Sequence, residues 1–102
     1  MAQLQIDLQD GFDHDHVVVC VDGDQVVDRP DVNTRTQIGL AESVRHEVAP
    51  GRVLLEVAVK SRNVSWKREL DVTQPTVVGL SLTKDNRIVE RTSESPFGFG
   101  YV

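Results

Sequence analysis

Residues 53–60, Val-Leu-Leu-Glu-Val-Ala-Val-Lys, decide the fold class of this chain. Val53, Leu55, Val57 and Val59 recur at every second position, and the residues between them are mixed in polarity. A period of two places alternate side chains on opposite faces of an extended chain. The stretch is therefore predicted to be a β-strand with one face in a hydrophobic core, preceded by a turn at Pro50-Gly51.

The same alternation extends in both directions from this strand. It recurs at residues 4–8 and 76–82, and residues 17–21 form a continuous apolar run. Turn-forming pairs separate these segments, which are Asp10-Gly11, Asp22-Gly23, Pro50-Gly51, Arg62-Asn63 and Gln74-Pro75. Short strands with turn signals every 8–12 residues are typical of a sandwich. We predict an all-β, antiparallel two-sheet sandwich of about 7–9 short strands over residues 1–92.

Three segments allow more than one structural interpretation. Residues 40–48 have fair helix propensity, yet Val44, His46 and Val48 alternate, so we expect a strand there. Residues 29–34, around Pro30, are expected to form a loop after a short strand at residues 25–28. Cys20, the single cysteine, lies in the apolar run and is expected to be a small core residue.

Charge and composition exclude several classes of partner. The formal net charge of the 102 residues is −5, and residues 1–28 hold seven acidic and no basic residues. Nucleic-acid binding requires a basic surface, so we expect no nucleic-acid partner. No apolar run approaches 18 residues, so membrane insertion is not expected. The first residues lack the features of a secretory signal, and a single cysteine fits a reducing compartment, which favours the cytoplasm.

The aromatic side chains are concentrated in residues 93–102, which we treat as an aromatic C-terminal tail. Phe97, Phe99 and Tyr101 are two residues apart and separated by glycines, so an extended chain would place all three rings on one face. One interpretation is an edge strand that folds back on its own domain. The other is a docking strand that binds another protein or a neighbouring subunit with these three residues.

The acidic N-terminal third contains weak candidates for metal ligands. Asp13, His14, Asp15 and His16 alternate, which in a strand would place the carboxylates on one face and the imidazoles on the other. They are candidates for Ca²⁺ or, with a third ligand such as His46, for Zn²⁺. The alternative interpretation is solvated acidic turns. No catalytic or phosphate-binding motif is present, so neither an enzyme nor a cofactor is expected.

Two stretches resemble a known type of module. Residues 17–26, Val-Val-Val-Cys-Val-Asp-Gly-Asp-Gln-Val, resemble the opening hairpin of PEGA-like domains, and residues 48–57 resemble the strand that follows it there. Transthyretin-like and carboxypeptidase-regulatory-like sandwiches share these features. The resemblance implies a non-enzymatic accessory module for protein or envelope interactions. Ala49-Pro50-Gly51-Arg52 stands where the namesake Pro-Glu-Gly-Ala would be.

The function expected from these observations is that of a non-catalytic interaction module. It would self-associate or bind another protein, partly through Phe97, Phe99 and Tyr101. The alternative is a sandwich that binds a metal ion or a glycan with its acidic N-terminal loops.

Overall fold

Eight β-strands make up the described part of the chain. The structure is a computed structural model, and it describes residues 2–35 and 39–93. The strands are β1 (Ala2–Leu8), β2 (Asp15–Val21), β3 (Asp24–Val32), β4 (Glu42–Val48), β5 (Gly51–Val59), β6 (Val64–Val72), β7 (Thr76–Leu82) and β8 (Ile88–Ser93). A short 3₁₀ helix, Lys60–Arg62, lies between β5 and β6. Within the described residues, no helix is long and apolar enough to cross a membrane.

The strands form two four-stranded sheets, as the alternation predicts. Sheet I has the order β4-β1-β7-β8, and sheet II has the order β3-β2-β5-β6. The all-β two-sheet prediction and its number of strands are confirmed. One detail differs, because β1 and β7 are parallel whereas all other neighbours are antiparallel. Parallel neighbours need a crossover connection, and here the chain between β1 and β7 provides it, with β2, β3, β5 and β6 in sheet II and β4 at the edge of sheet I.

The inner faces of the two sheets form one hydrophobic core. Its fully buried members come from alternate positions of the central strands: Leu4, Ile6 and Leu8 of β1, Val17 and Val19 of β2, Val53, Leu55 and Val59 of β5, and Val78 and Leu80 of β7. Burial of one such side chain stabilises the fold by about 1.5–3 kcal/mol. The period of two in the sequence therefore arises because every second side chain of these strands contacts the core.

Residues 42–48 are a strand, which confirms the choice of strand over helix, because β4 pairs with β1 along its whole length. The loop expected at residues 29–34 is wrong in part, since β3 continues through Pro30 to Val32. β3 is an edge strand, and the register of its pairing with β2 shifts between Asp15 and Val17. An edge position with such an irregularity tolerates a proline, which has no N–H to donate.

Two glycines with positive φ hold the turns that set the strand registers. Asp22 (φ 50°) and Gly23 (φ 85°) form the two-residue turn between β2 and β3, as the Asp-Gly signal predicts. Gly11 (φ 91°) follows β1, and a Cβ atom there would overlap the carbonyl oxygen of Leu82. Nothing lies within 4 Å of the corresponding Cβ position at Gly23.

Replacement of these two glycines by alanine is expected to have unequal effects. Gly23→Ala places a side chain at positive φ in open space and should cost about 1 kcal/mol. Gly11→Ala carries the same backbone strain and also collides with the backbone at Leu82, so we expect a loss of roughly 3 kcal/mol or more. Urea unfolding of both variants measures the difference. Equal losses would contradict the close packing of Gly11 against β7.

Candidate functional site

The four residues at positions 13–16 do not alternate as a strand. β2 begins only at Asp15, and His14 has a left-handed backbone with φ 50°. Asp15 accepts the backbone N–H of Asp13 at 2.8 Å, and Asn33 Oδ1 accepts the backbone N–H of His14 at 2.8 Å. The expected arrangement, with carboxylates on one face and imidazoles on the other, is therefore wrong. Local hydrogen bonds to Asp and Asn side chains turn the chain before the strand starts.

Asp15 is a buried carboxylate in a charged pair. Its side chain is 2% exposed, and it faces the guanidinium of Arg62 in a two-pronged contact. Arg62 Nε donates to one carboxylate oxygen and Nη2 to the other, both at 2.9 Å. Ser61 Oγ adds a third hydrogen bond at 2.7 Å. Two parallel N–H···O bonds between charged groups are the strongest geometry available to such a pair.

Arg62 also connects three parts of the chain. Its Nη2 donates to the carbonyl oxygen of Gly11, after β1, and its Nη1 donates to Asn86 Oδ1, in the turn before β8, each at 3.2 Å. Arg62 itself lies in the 3₁₀ helix after β5. We call Asp15, Arg62, Gly11 and Asn86 the polar clasp. It ties three connections together at one end of the sandwich and has the features of a structural element.

The environment of Asp15 favours its charged form. Burial alone would raise the pKa of the carboxyl group, but the hydrogen bonds from Arg62, from the backbone of Asp13 and from Ser61, with the positive charge of Arg62, outweigh that effect. The pKa of Asp15 is therefore lower than its ordinary value of 3.8. A buried carboxylate that is this well satisfied stabilises a fold rather than acting as an acid or a base.

The two neighbouring histidines each pair with an aspartate of β3. His14 Nδ1 lies 2.8 Å from Asp31 Oδ1, and His16 Nε2 lies 2.6 Å from Asp28 Oδ1. The hydrogen bond and the negative charge of Asp31, with a further contribution from Asp13, raise the pKa of His14 above 6.5. His14 and Asp31 are both exposed, so this pair is a surface feature of the clasp end.

The candidate metal ligands are thus occupied by different partners. Asp15 binds Arg62, His14 binds Asp31 and His16 binds Asp28, whereas His46 lies on β4 in the other sheet. Across residues 2–35 and 39–93, no group of three or more His, Cys, Asp or Glu side chains is placed so that it could hold a metal ion.

A second feature, which the sequence did not predict as a site, lies on the outer face of sheet II. Cys20 points there and is half-buried, so its expected place in the core is wrong. Val18, two residues earlier, shares this face and is only 9% exposed. β2 is a central strand, and the apolar run at residues 17–21 therefore supplies both faces of sheet II. The apolar run at residues 17–21 could have predicted this apolar outer face, because only a strand covered on both sides needs apolar residues at every position.

These residues line a partly open pocket of about 440 Å³, which we call the sheet II groove. Its lining residues are Val18, Cys20, Glu56, Val57, Ala58, Ser65, Trp66 and Lys67. Small apolar side chains from β2 and β5 form its floor. Glu56 and Lys67 are register partners on β5 and β6, and they place one negative and one positive charge on its rim. The groove is therefore apolar at the centre and without net charge at the rim.

Arg68 explains the break in the apolar face of β6. It lies on the core-facing side of β6, with its side chain 55% exposed, and forms an ion pair with Glu90 of β8, which links the edge strands of the two sheets. Trp66 lies on the same face of β6 and packs against the core while it also borders the groove.

The remaining predicted site residues, Phe97, Phe99 and Tyr101, lie outside the described residues. Comparisons of the chain with protein-family models, curated proteins and solved structures find no match.

Removal of the charge of Asp15 is expected to destabilise the protein. Asp15→Asn leaves the partly buried Arg62, whose side chain is 25% exposed, without its charged partner, and the expected loss is about 2–3 kcal/mol. Glu69→Gln, which removes an exposed partner of Arg52, is the control and should cost less than about 1 kcal/mol. Urea unfolding at neutral pH gives both values. A similar, small loss in the two variants would show that the clasp is not structural.

The pH dependence follows from the direction of the shift. Because folding lowers the pKa of Asp15, its stabilising effect is complete above 3.8 and is lost as the pH falls through the lower pKa of the folded state. The stability difference between the native protein and Asp15→Asn should be constant near neutral pH and shrink below pH 3.8.

The pKa of His14 is expected to depend mainly on Asp31. Asp31→Asn removes the strongest contribution and should lower the pKa of His14 towards 6.5. Asp13→Asn, the matched control, should lower the pKa of His14 less, because Asp13 acts only through a weaker charge interaction. NMR titration of the imidazole protons measures both. A larger effect of Asp13→Asn would contradict the geometry described here.

Proposed function

We propose that this protein is a non-catalytic interaction module that associates with a second copy of itself through the sheet II groove. The observation that supports the proposal is the apolar floor of this groove on an outer sheet face. Val18 and Ala58 lie at the centre of the face that points away from the core, where a solvated sheet would carry polar side chains. An apolar patch with a polar rim is typical of an interaction site.

The shape of the groove favours a second sheet face as its occupant. Val18, Cys20 and Ala58 have short side chains, so another sheet can approach to the usual spacing of about 10 Å between packed sheets. The groove is only partly enclosed, which suits a broad protein surface better than a small molecule that must be enclosed.

The charges of the groove favour a copy of the same chain. A two-fold axis brings the same patch of both copies together, so each charged residue must find an opposite charge on the same patch. Glu56 and Lys67 provide one charge of each sign on the rim, and two-fold symmetry can place Lys67 of one copy near Glu56 of the other. The net charge of −5 opposes self-association through any surface, so the contacts between the two grooves have to outweigh this repulsion.

A single substitution in the groove tests this proposal. Ala58→Arg adds a long charged side chain to the floor and should weaken dimerisation by about 100-fold, since it leaves a charge buried between the copies. Gln3→Arg adds the same charge at an exposed position on the outer face of sheet I and is the control. Sedimentation equilibrium measures the dissociation constant of each protein, and circular dichroism establishes that each remains folded.

The expected result is a dimer for the native chain and for Gln3→Arg, and a folded monomer for Ala58→Arg. A native chain that is monomeric at all concentrations would overturn the proposal. An equally stable dimer in Ala58→Arg would place the interface elsewhere on the molecule.

A further inference from the structure

The strands at the edges of the two sheets carry charged residues on the side that faces the core. β3 and β6 are the edges of sheet II, and β4 and β8 are the edges of sheet I. The charged residues are, in chain order, Arg29, Glu42, Arg68 and Glu90. Their register partners are the core residues Val17, Leu8, Leu55 and Leu80. Because residues directly opposite each other on paired strands share a face, all four charged residues lie on the inner side of their sheets.

The central strands differ from the edge strands in this respect. β1, β5 and β7 have only uncharged residues at the positions that alternate into the core. β2 has one charged residue there, Asp15 at its first position, which belongs to the polar clasp. Apart from the clasp, inward-facing charges are thus confined to strands that have a neighbour on one side only within residues 2–35 and 39–93.

The four residues form two ion pairs, one at each open side of the sandwich. Arg29 Nε lies 4.0 Å from Glu42 Oε2, which joins β3 to β4, and Arg68 pairs with Glu90, which joins β6 to β8. The side chains of Arg29 and Arg68 are 60% and 55% exposed. A long side chain can start on the inner side of an edge strand and still bring its charge to water, because it reaches out past the edge.

The pair of Arg68 and Glu90 is a poor source of stability. The side chain of Glu90 is only 11% exposed, and its Oε2 is buried without a hydrogen-bond partner among the described residues. Burial of a carboxylate is costly when its oxygens are incompletely satisfied, and apolar residues in place of such a pair are often neutral or stabilising. The stability of a single copy therefore does not explain why these two positions are charged.

The addition of another strand explains it better. A strand that paired with β6 would extend sheet II past the open side of the sandwich and cover the guanidinium of Arg68. The same holds for β3 and Arg29. Burial of these charges away from water would cost free energy, and inward-pointing charges on edge strands oppose edge-to-edge pairing in this way. A charge on the outer face, such as that of Arg45, would stay in water whether or not a strand is added.

We propose that the pairs Arg68–Glu90 and Arg29–Glu42 close the two open sides of the sandwich to the addition of strands from further copies of this chain. The proposal concerns the edges of the sheets and does not rest on the self-association through the sheet II groove. It holds for a monomeric and for a dimeric native chain. Together the two proposals restrict self-association to one sheet face, so that it ends at a closed dimer.

Replacement of one pair by leucines tests this proposal. Arg68→Leu combined with Glu90→Leu removes one charge of each sign, so the net charge of −5 is unchanged. The urea concentration at the unfolding midpoint should stay the same or rise. In sedimentation velocity, the weight-average mass should be at least about two-fold higher than that of the native chain at the same concentration and should rise with concentration. Hydrogen exchange should show added protection of backbone amides in β6, since an added strand binds the amides at its edge.

A matched control changes an outward-facing pair on another edge strand. Arg45→Leu combined with Glu47→Leu makes the same change in composition and charge at two exposed positions of β4. Because Glu42 still faces inward there, we expect the masses of the native chain. Arg29→Leu combined with Glu42→Leu repeats the test at the other open side of the sandwich, and this variant should assemble like the first.

Four results would overturn the proposal. The first is a native-like mass in both variants that lack an inward-facing pair. The second is assembly of the Arg45 and Glu47 control to the same extent. The third is a clear fall of the unfolding midpoint in the Arg68 and Glu90 variant, or its failure to fold, since either would show that the pair serves stability. The fourth is assembly of that variant without added protection in β6, which would place the contact on another surface.

Discussion

The ion pair between Asp15 and Arg62 is the contact that holds one end of this sandwich together. Its two hydrogen bonds, each 2.9 Å long, join the start of β2 to the 3₁₀ helix after β5. Arg62 also binds the turn after β1 and the turn before β8. The burial of Asp15 and the partial burial of Arg62 are costly, and this pair offsets the cost because both oxygens of the carboxylate are hydrogen-bonded. Connections that belong to different sheets thereby acquire fixed positions relative to each other.

Local sequence patterns were sufficient to predict most of the architecture. The core residues of β1 and β5 recur at every second position, and the Asp22-Gly23 turn between β2 and β3 has the backbone that its residues favour. β4 was ambiguous by propensity, and its pairing with β1 decides in favour of a strand. These features depend on residues that are adjacent in sequence or on one buried face of a strand. Both leave a pattern that can be recognised in the sequence.

Long-range contacts could not be predicted in the same way. Nothing near Asp15 in sequence indicates Arg62 as its partner, and the two residues meet only because β2 and β5 are neighbours in sheet II. The role of the candidate ligands Asp13 to His16 could not be decided from the sequence, because the sequence does not show which separate partners these side chains bind. Cys20 was assigned to the core because alternation cannot tell the two faces of a fully apolar strand apart. The groove that contains it became visible only with the neighbouring strands in place.

The parallel pairing of β1 with β7 has a consequence for how the chain folds. β1 lies in the interior of sheet I, between β4 and β7, although these strands are far apart in sequence. Sheet I therefore closes only after nearly the whole chain has been brought together. A topology dominated by contacts between distant residues has a large loop-closure entropy cost before it gains stability, so we expect slow folding for a domain of this size. Before β7 pairs with β1, one edge of β1 is unpaired. Chaperone binding at this stage of folding would protect that edge from pairing with other chains.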